Sequence, residues 1–406
     1  MDGSPDAGRR RLLYTLGTGA FCGLAGCTDD GDDATGENGD PSEDEPGDEE
    51  EEPLDNGEEE DEEDGGEGME DWPTYRADPE NTGHQPGSSG PDDPEVAWTS
   101  DTDGAIYASP TVADGTVYVG SYDETLYALD AGSGEENWSF DTGGNAFSSV
   151  TVEGKFAYVG GFADTVHALD RESGEEAGSF ATGGDVGSSP AIVDGTVYVG
   201  ADDGFVYALG ENEWQVETGA EVVASPAVSE GRVFVGSFDG TFYALDAETG
   251  EELWSVDGAG EFEGPAAVSE GTALVGDRGG VLHALDSETG AERWRLETGD
   301  WTGSGPAVAD GVVYGANRDG AVYALDVGDG SEQWRFQTGA EVWSSPTVAG
   351  DRVFVANREG VVYALDGAEG TNEWSVPIGE VTFSSPAVVD GSLYVGSTDG
   401  SLYALR

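Results

Sequence analysis

The tripeptide Tyr/His-Ala-Leu begins at Tyr127, His167, Tyr207, Tyr243, His283, Tyr323, Tyr363 and Tyr403, so successive copies stand 40, 40, 36, 40, 40, 40 and 40 residues apart. A unit of that length cannot bury its apolar face alone and must stack on its neighbours. A tryptophan keeps the same phase at Trp98, Trp138, Trp214, Trp254, Trp294, Trp334 and Trp374, and Gly178 stands where one more belongs. Period-two alternation and turn chemistry divide each copy into four strands. Around Tyr243, strand A falls at Ser225–Val228, strand B at Arg232–Gly236, strand C at Phe242–Leu245, and strand D carries Trp254. Acid-Gly pairs such as Asp114-Gly115, Asp194-Gly195 and Glu230-Gly231 suit the two-residue hairpin between A and B. The chain therefore reads as all-β, an eight-bladed β-propeller of four-stranded antiparallel blades.

The last copy stops at Arg406 before any strand D, while Trp98 precedes the first strand A. The segment Glu95–Thr99 is expected to supply the missing outer strand, so that the ring is closed by an N-terminal strand in the last blade and has no free edge.

The motif Ala-x-Asp-x-x-x-Gly-x-x-x-Trp runs through Ala128, Asp130, Gly134 and Trp138, and again through Ala244, Asp246, Gly250 and Trp254. It resembles the tryptophan-docking motif of pyrroloquinoline-quinone (PQQ) propellers, and the stretch from Asp71 to Arg76 with Asn81-Thr82-Gly83 resembles the opening segment of BamB and its relatives. The resemblance covers residues 72–406 and implies that the seven tryptophans are docking residues between blades, a use that fits the apolar area of an indole. Gly178 removes one indole and the copy at Tyr207 lacks four residues of its C–D turn, so the joints there are expected to be weaker.

Eighty-five acids oppose 15 basic residues, a balance that repels phosphate backbones and excludes nucleic acid as a partner. Between Thr28 and Asp71 lie 25 acids and no Lys or Arg; this stretch, residues 28–71, is too poor in apolar side chains to order itself and reads as a disordered tether. The remainder is still strongly acidic, and in that it resembles proteins of salt-loving archaea. Residues 1–27 combine Arg9-Arg10-Arg11-Leu12-Leu13, a short apolar run and Leu24-Ala25-Gly26-Cys27. They resemble a twin-arginine lipoprotein signal, which implies lipidation at Cys27 and a protein exported and anchored by lipid to the outer face of the cytoplasmic membrane. The run is too short to cross a bilayer. Cys22 and Cys27 are the only cysteines, so neither a disulfide framework nor a Cys-x-x-Cys metal site can be built.

The recurring Asp of the motif opens a turn and is expected to cap its own backbone. His167 and His283 take the Tyr slot of two different copies and His84 lies in the opening segment, so no metal ligand cluster is expected. PQQ dehydrogenases, as the resemblance implies, use adjacent cysteines, Ca²⁺ and a catalytic Asp; this chain has no adjacent cysteines, and neither a cofactor nor catalytic residues are assigned. Residues that break the repeat are the better guide to function. The B–C turns and the D-to-A connections must open on one face, and there Tyr107, Phe147, Phe262, Trp301, Trp343 and Phe383 gather with Arg278, Arg318 and Arg358. This face, at the arginines above all, is the candidate site for a protein segment or an anionic ligand. The expected function is a non-catalytic cell-surface binding scaffold, monomeric, with an unnamed protein partner. A PQQ-dependent dehydrogenase and a structural component of the cell surface are the alternatives.

Overall fold

The computed structural model describes residues 71–210 and 213–406; Cys27, the leader and the acidic stretch up to residue 70 lie outside them. Among the described residues, eight antiparallel sheets carry four strands each in the order A, B, C, D, the seventh with one added strand. In the first blade the strands are Thr111–Ala113, Thr116–Gly120, Thr125–Asp130 and Glu136–Asp141. The turn between the first two places Asp114 at φ 45° and Gly115 at φ 74°, the pair of positive values that a tight hairpin between twisted strands requires. Strands A and B are almost wholly buried, and strand D alternates exposed and half-buried residues, so D forms the perimeter and A the hub.

The ring closes as the sequence predicts. Val96–Asp101 pairs antiparallel with Ser401–Leu405, and Glu95 and Arg406 exchange backbone hydrogen bonds of 2.9 and 3.1 Å. At the perimeter each indole docks on the C–D turn of the following blade. Trp98 donates through Nε1 to the Ala131 carbonyl at 3.1 Å, and a Cβ on Gly134 would stand 2.6 Å from its ring, which is why glycine holds that position. The same bond runs from Trp138 to Arg171, Trp214 to Ala247, Trp254 to Ser287, Trp294 to Val327 and Trp334 to Gly367. Trp374 closes on the Pro91 carbonyl, because the ends of the chain replace a C–D turn in the last blade. The motif Asp caps its turn: Asp130 Oδ1 accepts from the Ser133 amide and hydroxyl.

This pairing corrects one expectation. Gly178 lies on strand D of the second blade and the shortened turn belongs to the third, so the two departures are the two halves of one missing lock rather than two weak joints. Phe156, buried at the start of the second blade's strand B, joins Ile192, Val197 and Leu209 in the apolar cluster there. The same place in the other blades holds Thr116, Thr196, Arg232, Thr272, Val312, Arg352 and Ser392.

At the hub, the segments leading into strand A are joined round the axis by serines: Ser109 N–H donates to Ser149 Oγ, Ser149 to Ser189, Ser189 to Ser225, Gly305 to Ser345, Ser345 to Ser385, and Ser385 back to Ser109. Pro265, without an N–H or a hydroxyl, interrupts the series at the fifth blade. On the side of the A–B turns the amino-terminal stretch forms an inner collar. Val112, Val152, Val228, Val268, Val308 and Val348 donate their amides to the carbonyls of Trp72, Pro73, Pro79, Glu80, Thr82 and Gly83, and His84–Gln85 adds a parallel strand to Thr347–Ala349. These amides would otherwise be the unpaired edge of the innermost strands. Trp72, Thr74, Arg76 and Asn81 are buried inside the collar, so it fills that end of the hub.

Candidate functional site

The B–C turns and the D-to-A connections meet on the face opposite the A–B turns. In every blade a B–C turn amide binds a carbonyl of the connection beside it, from Tyr122 to Ala105, Phe162 to Asn145, Asp202 to Asp185, Phe238 to Glu221, Arg278 to Glu261, Arg318 to Trp301, Arg358 to Glu341 and Thr398 to Val381. Each bond sets a turn side chain next to a connection side chain at the mouth of the hub. Ring centroids separate Phe162 from Phe147 by 5.8 Å, Tyr122 from Tyr107 by 4.4 Å, Tyr107 from Phe147 by 6.1 Å, Tyr107 from Phe383 by 5.1 Å, and Phe383 from Trp343 by 5.1 Å. From there the chain of contacts passes through guanidinium groups. Arg358 lies 5.5 Å from Trp343 and 5.6 Å from Phe383, Arg318 lies 4.4 Å from Trp343 and 4.5 Å from Trp301, and Arg278 lies 4.6 Å from both Trp301 and Phe238. Such cation–π contacts contribute about 0.5–1 kcal/mol each at exposed sites. The expected residues Tyr107, Phe147, Trp301, Trp343, Phe383, Arg278, Arg318 and Arg358 thus lie in one continuous arc.

Phe262 does not belong to it. The fifth connection reads Glu-Phe-Glu-Gly-Pro, with its proline one residue early, so Glu263 takes the rim place and Phe262 turns inward, buried against Phe242 and His283. Gly303 holds the rim place of the sixth connection, and Trp301 folds over it: a Cβ there would stand 2.7 Å from the indole Nε1. The aromatic is supplied from two residues upstream.

The arginines differ in how they are neutralised. Arg278 binds Glu263 at 2.9 Å and also Glu261, and these bonds hold its pKa above the usual value despite its partial burial. Burial pushes the Glu263 carboxyl up, against the pull of Arg278. Arg358 binds Glu341 at 3.0 Å, and the same oxygen accepts from Trp343 Nε1 at 2.8 Å. Burial alone would raise the Glu341 pKa, but these bonds and the two arginines bring it below the usual value. Arg318 reaches Glu341 only at 3.5 Å. The acids that balance the arc are therefore Glu261, Glu263 and Glu341, none of which neighbours its arginine in sequence.

The arc breaks at the third blade, where Gly187 and Asp202 replace aromatics. Asp202 is exposed by area but stands near other carboxylates; partial desolvation first, and then Asp185, Glu221, Asp203 and Asp164, push it up to about 6. Among the described residues no group of three acidic, Cys or His side chains has the geometry to hold a metal ion. The three histidines are apart: His84 is in the collar, His167 pairs with Glu176, and His283 pairs with the buried Asp277.

A family model described as outer membrane protein assembly factor BamB matches residues 89–163, 162–262, 259–346 and 337–406. The chain belongs to the BamB family. Its propeller is similar to BamB from Moraxella catarrhalis, with a TM-score of 0.68 and 19% identity over 77% of this chain and 99% of that one. It is also similar to the quinohemoprotein alcohol dehydrogenase of Comamonas testosteroni, with a TM-score of 0.70 and 16% identity over 82% of this chain and 80% of the enzyme. A europium-containing methanol dehydrogenase gives 0.69 and 14% over 84% and 98%. No curated protein matches the sequence. At these identities the structural likeness concerns the fold, which a BamB protein and dehydrogenases share.

Proposed function

We propose that this BamB-family propeller is a non-catalytic binding scaffold whose mouth face docks a polypeptide partner. It acts as a monomer on the outer face of the cytoplasmic membrane, held by a lipid on Cys27. The observation that carries this reading is the arc of aromatic and guanidinium groups spanning seven blades on one face, while the opposite end of the hub is filled by the collar. Aromatic and arginine side chains are the residue types that dominate binding energy at protein interfaces, and the collar leaves the mouth as the accessible end. The quinone fits these residues poorly. Two of the three arginines at the mouth are already bound to carboxylates, no cysteine occurs beyond Cys27, and no acidic trio offers Ca²⁺ ligand geometry among the described residues.

Capture from solubilised membranes tests the reading. The Tyr107→Ser, Phe383→Ser double variant should lose the proteins that the wild type retains, and an unchanged set of retained proteins would refute it. The likeness to dehydrogenases makes one control necessary: a quinone absorbance band after incubation of the purified chain with PQQ and Ca²⁺ would favour the enzyme instead.

A further inference from the structure

The three arginines of the arc form a graded series. Arg278 is bound by two carboxylates and Arg358 by one. The Arg318 guanidinium makes no hydrogen bond to any described residue, and its nearest acid is the 3.5 Å contact with Glu341, whose oxygen is already engaged by Arg358 and Trp343. Yet Arg318 is the best positioned of the three. It lies in the corner made by Trp301 and Trp343, whose rings meet edge to face at 4.8 Å. Its side chain is 30% exposed at the mouth. Beside it, Trp301 is 7% exposed and its Nε1 is buried without a partner, next to Gly303 on the rim.

The Arg318 guanidinium thus stands in an aromatic frame, partly exposed, with most of its hydrogen-bonding capacity unused. A guanidinium presents a rigid fork that matches a carboxylate. We propose that Arg318, with Trp301 and Trp343, forms a pocket for an aspartate or glutamate side chain on an extended segment of the docked polypeptide. A protein segment suits the site better than a free anion, because Phe383, Tyr107, Phe147 and Tyr122 continue the surface away from Arg318 and offer apolar contacts to neighbouring side chains. The net charge of the arc supports selectivity over bulk attraction: three arginines face three glutamates, so an acidic partner gains only where a donor is free. This inference rests on the docking role of the mouth and assigns the chemistry of one contact within it.

Fluorescence anisotropy on the full chain, at one fixed salt concentration, tests it with two labelled peptides, one alternating Glu and Phe and the other alternating Gln and Phe. The wild type should bind the Glu peptide about tenfold tighter, the size expected of a charge-assisted bidentate bond. Arg318→Gln should abolish that preference, weakening the Glu peptide about tenfold more than the Gln peptide. Arg318→Lys, which keeps the charge but not the fork, should retain only part of it, and it serves should the Gln variant fold poorly. Equal binding of the two peptides by the wild type, no binding of either, or a preference that survives Arg318→Gln would overturn the pocket. Trp343→Ala separates the two levels. If it weakens both peptides while Arg318→Gln changes nothing, the mouth is a docking face and the carboxylate pocket is wrong.

Discussion

The joint between the second and third blades and the arc from the fifth to the seventh depart from the repeat in opposite directions. The joint has lost both halves of the indole lock at the perimeter and the aromatics at the mouth, and Asp164, Asp185, Asp202 and Asp203 crowd there. Across the ring, the arc has gained three arginines, two indoles and the glutamates that hold two of the arginines. At the joint, Phe156 adds apolar area to the cluster shared by the second and third blades. The arc is built from polar and aromatic groups that meet one another across neighbouring blades at the mouth, outside the apolar clusters that hold the blades together. Departures of the first kind mark repair of the ring, and departures of the second kind mark use.

Perimeter substitutions break this comparison most strongly. Trp334→Ala should cost about 3–5 kcal/mol, with the Gly367 carbonyl keeping only the Tyr314 hydroxyl as donor, and Phe156→Ala should cost a similar amount if Phe156 has replaced an indole. Thr116→Ala, at the same place in the first blade, should cost under about 1 kcal/mol. Denaturant unfolding in constant salt measures all three; a small loss for Phe156→Ala would mean that the joint is held by something else.

At the mouth, Arg278→Gln strands two carboxylates, one of them mostly buried, and should cost about 1–2 kcal/mol after allowance for exposure. Arg318→Gln should cost less, about 1 kcal/mol, because it gives up two ring contacts and a 3.5 Å ion pair but strands no carboxylate. Equal losses would dissolve the grading on which the carboxylate pocket depends.

The smallest effect is in pH. Asp202 has a raised pKa, so its neutral form is favoured by folding; that contribution is present below the usual carboxylate value and is lost as pH rises through about 6. Glu341 has a lowered pKa, so its contribution is present above the usual glutamate value and is lost as pH falls below it. Asp202→Asn should therefore stabilise the protein above pH ~6 by at most about 1 kcal/mol, less in high salt, because the carboxylate is exposed. Melting curves from pH 4 to 8 with and without the substitution check the sign, and a destabilised variant at pH 7 would show that the crowding is balanced by bonds to Asp202.

The propeller was legible because period, hairpin residues and docking motif all state the same unit, and the missing outer strand of the last copy points to its own replacement. What escaped is long-range. The two broken copies look independent until strand D of one blade is seen to close on the turn of the next. Phe262 reads as a rim residue until the early proline of its connection is seen to shift the register by one, which brings Glu263 into line with Trp343 and Phe383. Trp301 falls near the face in the sequence, but its place over Gly303 is a matter of folding within one connection. The glutamates of the arc lie 15–23 residues from their arginines, and nothing local pairs them. The collar has no periodicity to read, since its bonds are made by backbone carbonyls.

The claim that the mouth is the working surface can be tested directly by placing a photo-crosslinking side chain at Thr398, in the arc's B–C turn of the last blade, and separately at Glu288, in a C–D turn on the opposite face. Irradiated in native membranes, the chain should form a discrete polypeptide adduct from position 398 and none from 288. The same adduct from both positions, or one from 288 alone, would contradict the account.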